Sequence, residues 1–252
     1  MSNFDGNYAS ATTGAGGAVA VDAGLRAYMI RVYNYMVAGV GLTGVVAWLT
    51  FEAAVAANAD GAILQLTSFG RAMFAGPTII FLILGTLGLV MFISFRIQYL
   101  QPATALTLFM VYAALLGLTL SSVFIVYTGA SVTRVFFISA ASFGALSLYG
   151  YTTQRDLSAF GSFLIMGVVG LIIAMLVNLF LKSTALDLAL SAIGVLIFAA
   201  MTAWDTQRIR QMYSVADDGV TTGRKAIMGA LRLYLDFINL FLFLLRLLGN
   251  RR

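Results

Sequence analysis

An all-α, polytopic membrane protein, a seven-transmembrane-helix bundle with the C-terminal helix at its centre, is the fold class predicted by three features of the chain. Sixty-one per cent of the 252 residues are hydrophobic and only 10% are charged, whereas soluble domains carry roughly 45–50% and 25%, so a water-soluble globule is excluded. Uncharged apolar runs recur between isolated charges, and about 20 such residues cross a hydrocarbon core of about 30 Å as one helix. The last run differs from the others in carrying charges inside it.

Val32 to Phe51 is the first uncharged run and gives the first span. The run from Ala72 to Phe95 contains Gly76-Pro77, a pair suited to a first helical turn, so the second span starts there and ends at Arg96. Ile97 to Thr133 is too long for one crossing; Pro102 fits an early helical position, which places the third span from about Ala103 to Thr128, with Arg134 closing a short turn. Val135–Gln154, Leu157–Leu181 and Leu188–Trp204 follow, separated by Arg155-Asp156 and by Lys182 to Asp187. The seventh, Ala226–Leu248, holds Arg232, Asp236 and Arg246. A charge at a helix centre costs about 2.5–3.5 kcal/mol on insertion scales, so this segment is expected inside the bundle.

Glycines at 39, 41 and 44 in the first span and at 167 and 170 in the fifth read as sites of close backbone approach between helices. Residues 1–25 are rich in Gly, Ala, Ser and Thr and lack the basic start and apolar core of a secretory signal, so they are expected to be a disordered tail before a membrane domain over 26–252. With seven spans, eight basic residues (Arg26, Arg31, Arg96, Arg155, Arg208, Arg210, Arg224, Lys225) lie on the N-terminal side and five on the other, which places the N terminus inside. A six-span version with a re-entrant segment and both ends inside stays open.

The chain has no Cys and no His, which removes thiolate and imidazole metal sites, disulfides, and Ser-His or Cys-His catalysis. Its basic residues are scattered singly, giving no nucleic-acid face, and no phosphate-binding Gly-rich loop is present. Trp48 and Trp204 read as interfacial aromatics, the methionines as core filling, and Asp217-Asp218-Gly219 as a solvated turn, lacking the further acids of a calcium loop.

Two acids stand out. Asp205 lies at the inner end of the sixth span and Asp236 about ten residues into the seventh, and one loop starts both helices from the same face. Meeting away from water, they would share one proton and titrate as a unit. Singly protonated, the pair ties the two helices together; losing that proton or gaining another loosens the tie. The alternative is plain ion pairing at helical spacing, Asp205 with Arg208 and Arg232 with Asp236. Arg96, at the end of the second span, is a third candidate for the cluster or an inside-positive anchor. Arg246 has no acid in its own helix, and Glu52 is its nearest candidate by depth.

Gly194-Val195-Leu196-Ile197-Phe198, Trp204-Asp205-Thr206-Gln207-Arg208-Ile209 and Tyr234-Leu235-Asp236-Phe237-Ile238-Asn239-Leu240-Phe241 resemble the signature of the Bax inhibitor-1 family, the transmembrane Bax inhibitor motif proteins, in its bacterial members. The resemblance covers residues 26–250. It implies a bundle wrapped around the C-terminal helix in the bacterial inner membrane and a passive calcium leak gated by a pH-responsive aspartate pair. By motif that pair falls on Asp205 and Asp236, which would also meet the permeating calcium, and by position Arg96 resembles the arginine that approaches it. No tightly bound cofactor and no enzymatic activity are expected; the partners are the bilayer and calcium ions. The alternatives are a non-conducting regulator of a membrane-bound protease or other membrane partner, and an intramembrane aspartyl protease, against which Leu233-Tyr234-Leu235-Asp236 lacks the Gly-x-Gly-Asp pattern.

Overall fold

The computed structural model describes residues 6–57, 64–74 and 76–252, with side chains from Ala23 onward except at 57–64 and 75. Its order is α1 (Gly6–Ala54), a short antiparallel pair β1 (Val55–Ala57) and β2 (Leu64–Leu66), α2 (Ser68–Phe74), α3 (Pro77–Arg96), α4 (Pro102–Leu120), α5 (Val123–Val126), α6 (Gly129–Thr152), α7 (Ser158–Leu181), α8 (Thr184–Gln211) and α9 (Gly219–Leu248). Among the described residues seven helices are long and apolar enough to cross a membrane. They ride on α1, α3, α4 with α5, α6, α7, α8 and α9.

Local chemistry sets the helix starts. Pro77 and Pro102 open α3 and α4, where a missing amide hydrogen costs nothing. Side-chain oxygens cap the others: Thr128 accepts from the Ser131 amide, Ser183 from Leu186 and Asp218 from Thr221. Three spans are longer than the charge pattern suggests. The Thr128 cap starts α6 at Gly129, so Arg134 sits within the helix and closes no turn. Helix α8 continues to Gln211, seven residues beyond Trp204, so Asp205 lies within α8 and not at its inner end. Helix α9 starts at Gly219. Helix α1 is drawn from Gly6, inside the stretch read as a disordered tail; alanines at 9, 11, 15, 18 and 20 favour continuation of the helix. Residues 1–5 of that tail lie outside the described residues.

Helix α9 packs against α8, α1, α6 and α4. In its apolar stretch 72% of residues are buried, against 11–33% in the other six spans. The outer faces carry the inverse of a soluble surface: Phe81 is 72% exposed and Phe180 84%. Such faces find a solvent as apolar as themselves in lipid, so helix association rests on close packing and hydrogen bonds between helices.

The chain end settles the number of crossings. After α9, the Thr128 amide donates to the Asn250 carbonyl, the Asn250 amide to the Ser131 hydroxyl and the Arg252 amide to the Val126 carbonyl. Arg251 pairs with Asp187 at 3.7 Å. The C terminus therefore lies with the α5–α6 and α7–α8 connections, at the end of the bundle opposite the α8–α9 loop, and α9 crosses fully without re-entry.

Candidate functional site

Trp204-Asp205-Thr206-Gln207 reaches three neighbouring helices, because successive positions turn about 100° around a helix and residues three apart share a face. Trp204 is buried against Gly161 of α7, where any side chain would meet the indole, and Arg208 stacks on its ring at 5.3 Å. Trp204 is thus a packing residue, not an interfacial one; Trp48, 53% exposed, keeps the interfacial reading. Gln207 accepts from the Leu157 amide at 2.8 Å and donates to the Arg155 carbonyl at 2.8 Å, fastening the start of α7. Thr206 bonds the Thr202 carbonyl and lies 3.0 Å from the Ser147 hydroxyl, which in turn lies 2.6 Å from the hydroxyl of Tyr33.

Asp205 turns toward α9. It is 4% exposed and Asp236 is 3% exposed, and the two carboxyls lie close enough to interact. Arg232 Nη1 lies 3.4 Å from Asp205 Oδ1. Asp236 Oδ2 is buried with no hydrogen-bond partner. Two acids, one guanidinium and one orphaned oxygen make an arrangement that is unsatisfied unless a proton or a cation joins it. Among the described residues no third acid joins the two.

Of the three site residues expected from sequence, Asp205 and Asp236 are brought together and Arg96 is not. Arg96 is exposed, its guanidinium 5.3 Å from the Tyr99 ring centre, and it makes no ion pair with either acid. Arg232 stands where Arg96 was expected. Its own-helix spacing to Asp236 concealed this, for Arg232 reaches across to Asp205, while Arg208, three residues from Asp205, stacks on Trp204. The suggested Arg246–Glu52 pair does not form; Arg246 lies over Phe243, 5.6 Å from its ring centre. Asp217 pairs with Lys225 at 2.5 Å.

Beside the acids, Tyr234 is wholly buried, edge-on to Phe109 and Tyr112. Its hydroxyl lies 2.7 Å from that of Thr43, which also reaches the Ala113 carbonyl at 2.9 Å and that of Gly39 at 3.0 Å. With one proton to give, Thr43 donates to a carbonyl and accepts from Tyr234, tying α1, α4 and α9 together. Nothing in the spacing of Thr43, alone in an apolar run, announces that role.

The half-covered stripe of α9 runs Met228, Arg232, Leu235, Asn239, Leu242 and includes the guanidinium at the acid pair. Helix α3 packs on α4 and α2 and scarcely touches α8 or α9.

Fold and site together define a multi-pass α-helical membrane protein with a buried acid pair bridging its last two spans. The chain belongs to the Bax inhibitor-1 family: the family model described as Inhibitor of apoptosis-promoting Bax1 matches residues 25–252. It is similar to the Inner membrane protein YbhL of Escherichia coli (strain K12), 49% identical over 232 residues, covering 91% of this chain and 94% of that one. A protein of Rickettsia prowazekii (strain Madrid E) is 47% identical over 231 residues, 92% of either chain. YrjE of Lactococcus lactis subsp. lactis is 41% identical over 227 residues, 90% of this chain and 92% of its own.

Proposed function

We propose that the protein is a pH-regulated passive calcium leak of the bacterial inner membrane, gated by the shared proton of Asp205 and Asp236. The observation that carries the reading is the buried acid pair with an unpartnered Asp236 Oδ2 and a single arginine 3.4 Å from Asp205. The charged and titratable groups facing the pair are the acids themselves, Arg232 and, along α8, Arg208. With one shared proton the cluster is neutralised and α8 is bonded to α9. Removing that proton leaves two carboxylates against Arg232 and repulsion between the helices; adding a second removes the charged hydrogen bond. Either change loosens the contact.

Loosening the α8–α9 contact opens a path along the half-covered stripe of α9 that carries Arg232. Calcium takes six to eight oxygen ligands when bound tightly; two carboxylates offer fewer, which suits an ion that passes and does not stay. Protons set the open fraction and the gradient drives the flux, so no bond is made or broken and no catalytic residue is required. The pair also supports a purely conformational reading, in which the same switch acts on a membrane-bound protease or another membrane partner.

The test is calcium flux into proteoliposomes across a pH series. Wild type is expected to leak least where the pair holds one proton and more on either side. Asp205→Asn and Asp236→Asn should each flatten that profile. Normal pH dependence in both variants overturns the gate, and absence of flux from folded wild-type protein overturns the channel in favour of the conformational switch.

A further inference from the structure

Helices α1 and α6 both pack on α9, yet they scarcely touch each other. The space between them is a groove of about 850 Å³ that runs from Arg26 to Gly41 along α1 and continues into a second hollow of about 330 Å³ reaching Ala47. The two share Val40, Phe136 and Phe237, so they adjoin along one seam that is open on its outer side. From Arg26 to Ala47, at a rise of about 1.5 Å per residue, it is about 30 Å long, the thickness of the hydrocarbon core.

The lining is apolar except at one end, where Arg26, Tyr33, Ser147 and Tyr151 gather. Arg26 is exposed. Arg210 lies at the same end, donating to the Tyr151 carbonyl and stacking over its ring. Glycines were expected to bring helices together here. Gly39 does, its α-carbon facing Phe109, but Gly41, Gly44 and Gly144 line the groove, and a side chain at any of the three would meet nothing. Those glycines keep a trough open.

We propose that this trough is a binding site for an anionic phospholipid, one acyl chain lying along α1 and α6 over Phe237 and the phosphate held at Arg26. Charge complementarity selects the occupant: an apolar trough one bilayer thick, with a cationic, hydroxyl-bearing mouth at one interface only, matches a lipid whose head is negative and whose tail is hydrocarbon. Because Phe237 adjoins Asp236, a seated chain touches α9, and Tyr33 at its mouth is linked through Ser147 to Thr206 of α8; the site itself does not depend on ion conduction.

Native mass spectrometry of the full chain, released from detergent after incubation with phosphatidylglycerol or phosphatidylcholine, tests this. Wild type should retain one phosphatidylglycerol. Gly144→Phe projects a ring into the trough from a position whose Cβ meets no neighbour and should lose both lipids, while Gly88→Phe, at an open glycine of α3 outside the trough, should retain the lipid like wild type and serves as the folding control. Arg26→Gln should keep chain binding and lose about fivefold of the preference for the anionic head, the equivalent of one basic residue near a membrane surface. Equal lipid retention by wild type and Gly144→Phe overturns the proposal. So does a wild-type dimer that Gly144→Phe abolishes, which would assign the trough to a second copy of the chain.

Discussion

Arg232 is the one cation within ion-pairing distance of the acid pair among the described residues, and its side chain is only 27% exposed. Removing one partner of a buried pair leaves a charge with neither water nor counter-ion, at a cost of about 3–5 kcal/mol, whereas neutralising both is far cheaper. Arg232→Met is therefore expected to lower the unfolding free energy in detergent by roughly 3 kcal/mol, and adding Asp205→Asn should restore most of it. A double variant no more stable than the single one would show that Asp205 does not depend on Arg232. At the water-exposed end of α9 a different acid acts through the backbone. Hydrogen bonds from Thr221 hold the Asp218 carboxyl below the usual carboxylate range. A depressed carboxyl stabilises the fold above its unfolded value and loses that contribution as pH falls through the folded one. Asp218→Ala should thus lower the melting temperature at pH 7, and by progressively less as pH falls below the usual carboxylate range, while Asp218→Asn, a neutral acceptor, should lose only the pH-dependent part.

Between elements, glycine has two opposite uses. At Gly150 of α6 a Cβ would run into the backbone carbonyl of Ala203 in α8, so the two helices touch main chain to main chain. In lipid, where burial adds little between apolar helices, that approach is the source of adhesion. Gly150→Ala forces the helices apart and is expected to cost about 1–3 kcal/mol. Gly41→Ala places its methyl in open space and should stabilise α1 by about 0.5–1 kcal/mol through helix propensity. Thermal melts of the two variants side by side check this, and a reversal of their order would show that the α6–α8 contact is looser than drawn. Helices α3 and α7 are the spans least covered by their neighbours, 11% buried each.

For the whole molecule, the strapping of residues 249–252 to the α5–α6 connection places the chain end opposite the α8–α9 loop, as an odd number of crossings requires, and the excess of basic residues at the other end predicts that that end lies inside. The absence of cysteine makes labelling clean. In spheroplasts an impermeant maleimide is expected to modify Asn250→Cys and to spare Ser214→Cys, both positions being exposed at opposite ends. Labelling of both, or the reverse pattern, refutes the orientation.

Seven spans were legible in the sequence because the bilayer imposes a length: about 20 residues without charge can be counted. Prolines 77 and 102 marked helix starts correctly, since a missing amide hydrogen is tolerated at a first turn. Helix ends at Gln211 and Gly129 were not legible, because polar residues continue a helix beyond the membrane as readily as they end it. Asp205 and Asp236 were found since a charge in an apolar run is costly anywhere it points. The direction each side chain takes was not available from that cost. Arg232 in place of Arg96, Thr43 under Tyr234, and glycines that hold a trough open all depend on which helix stands opposite. The sequence determined how often the chain crosses and which groups are too polar to face lipid; the packing of α9 among its neighbours decided what those groups touch, since contact is a property of two helices and spacing a property of one.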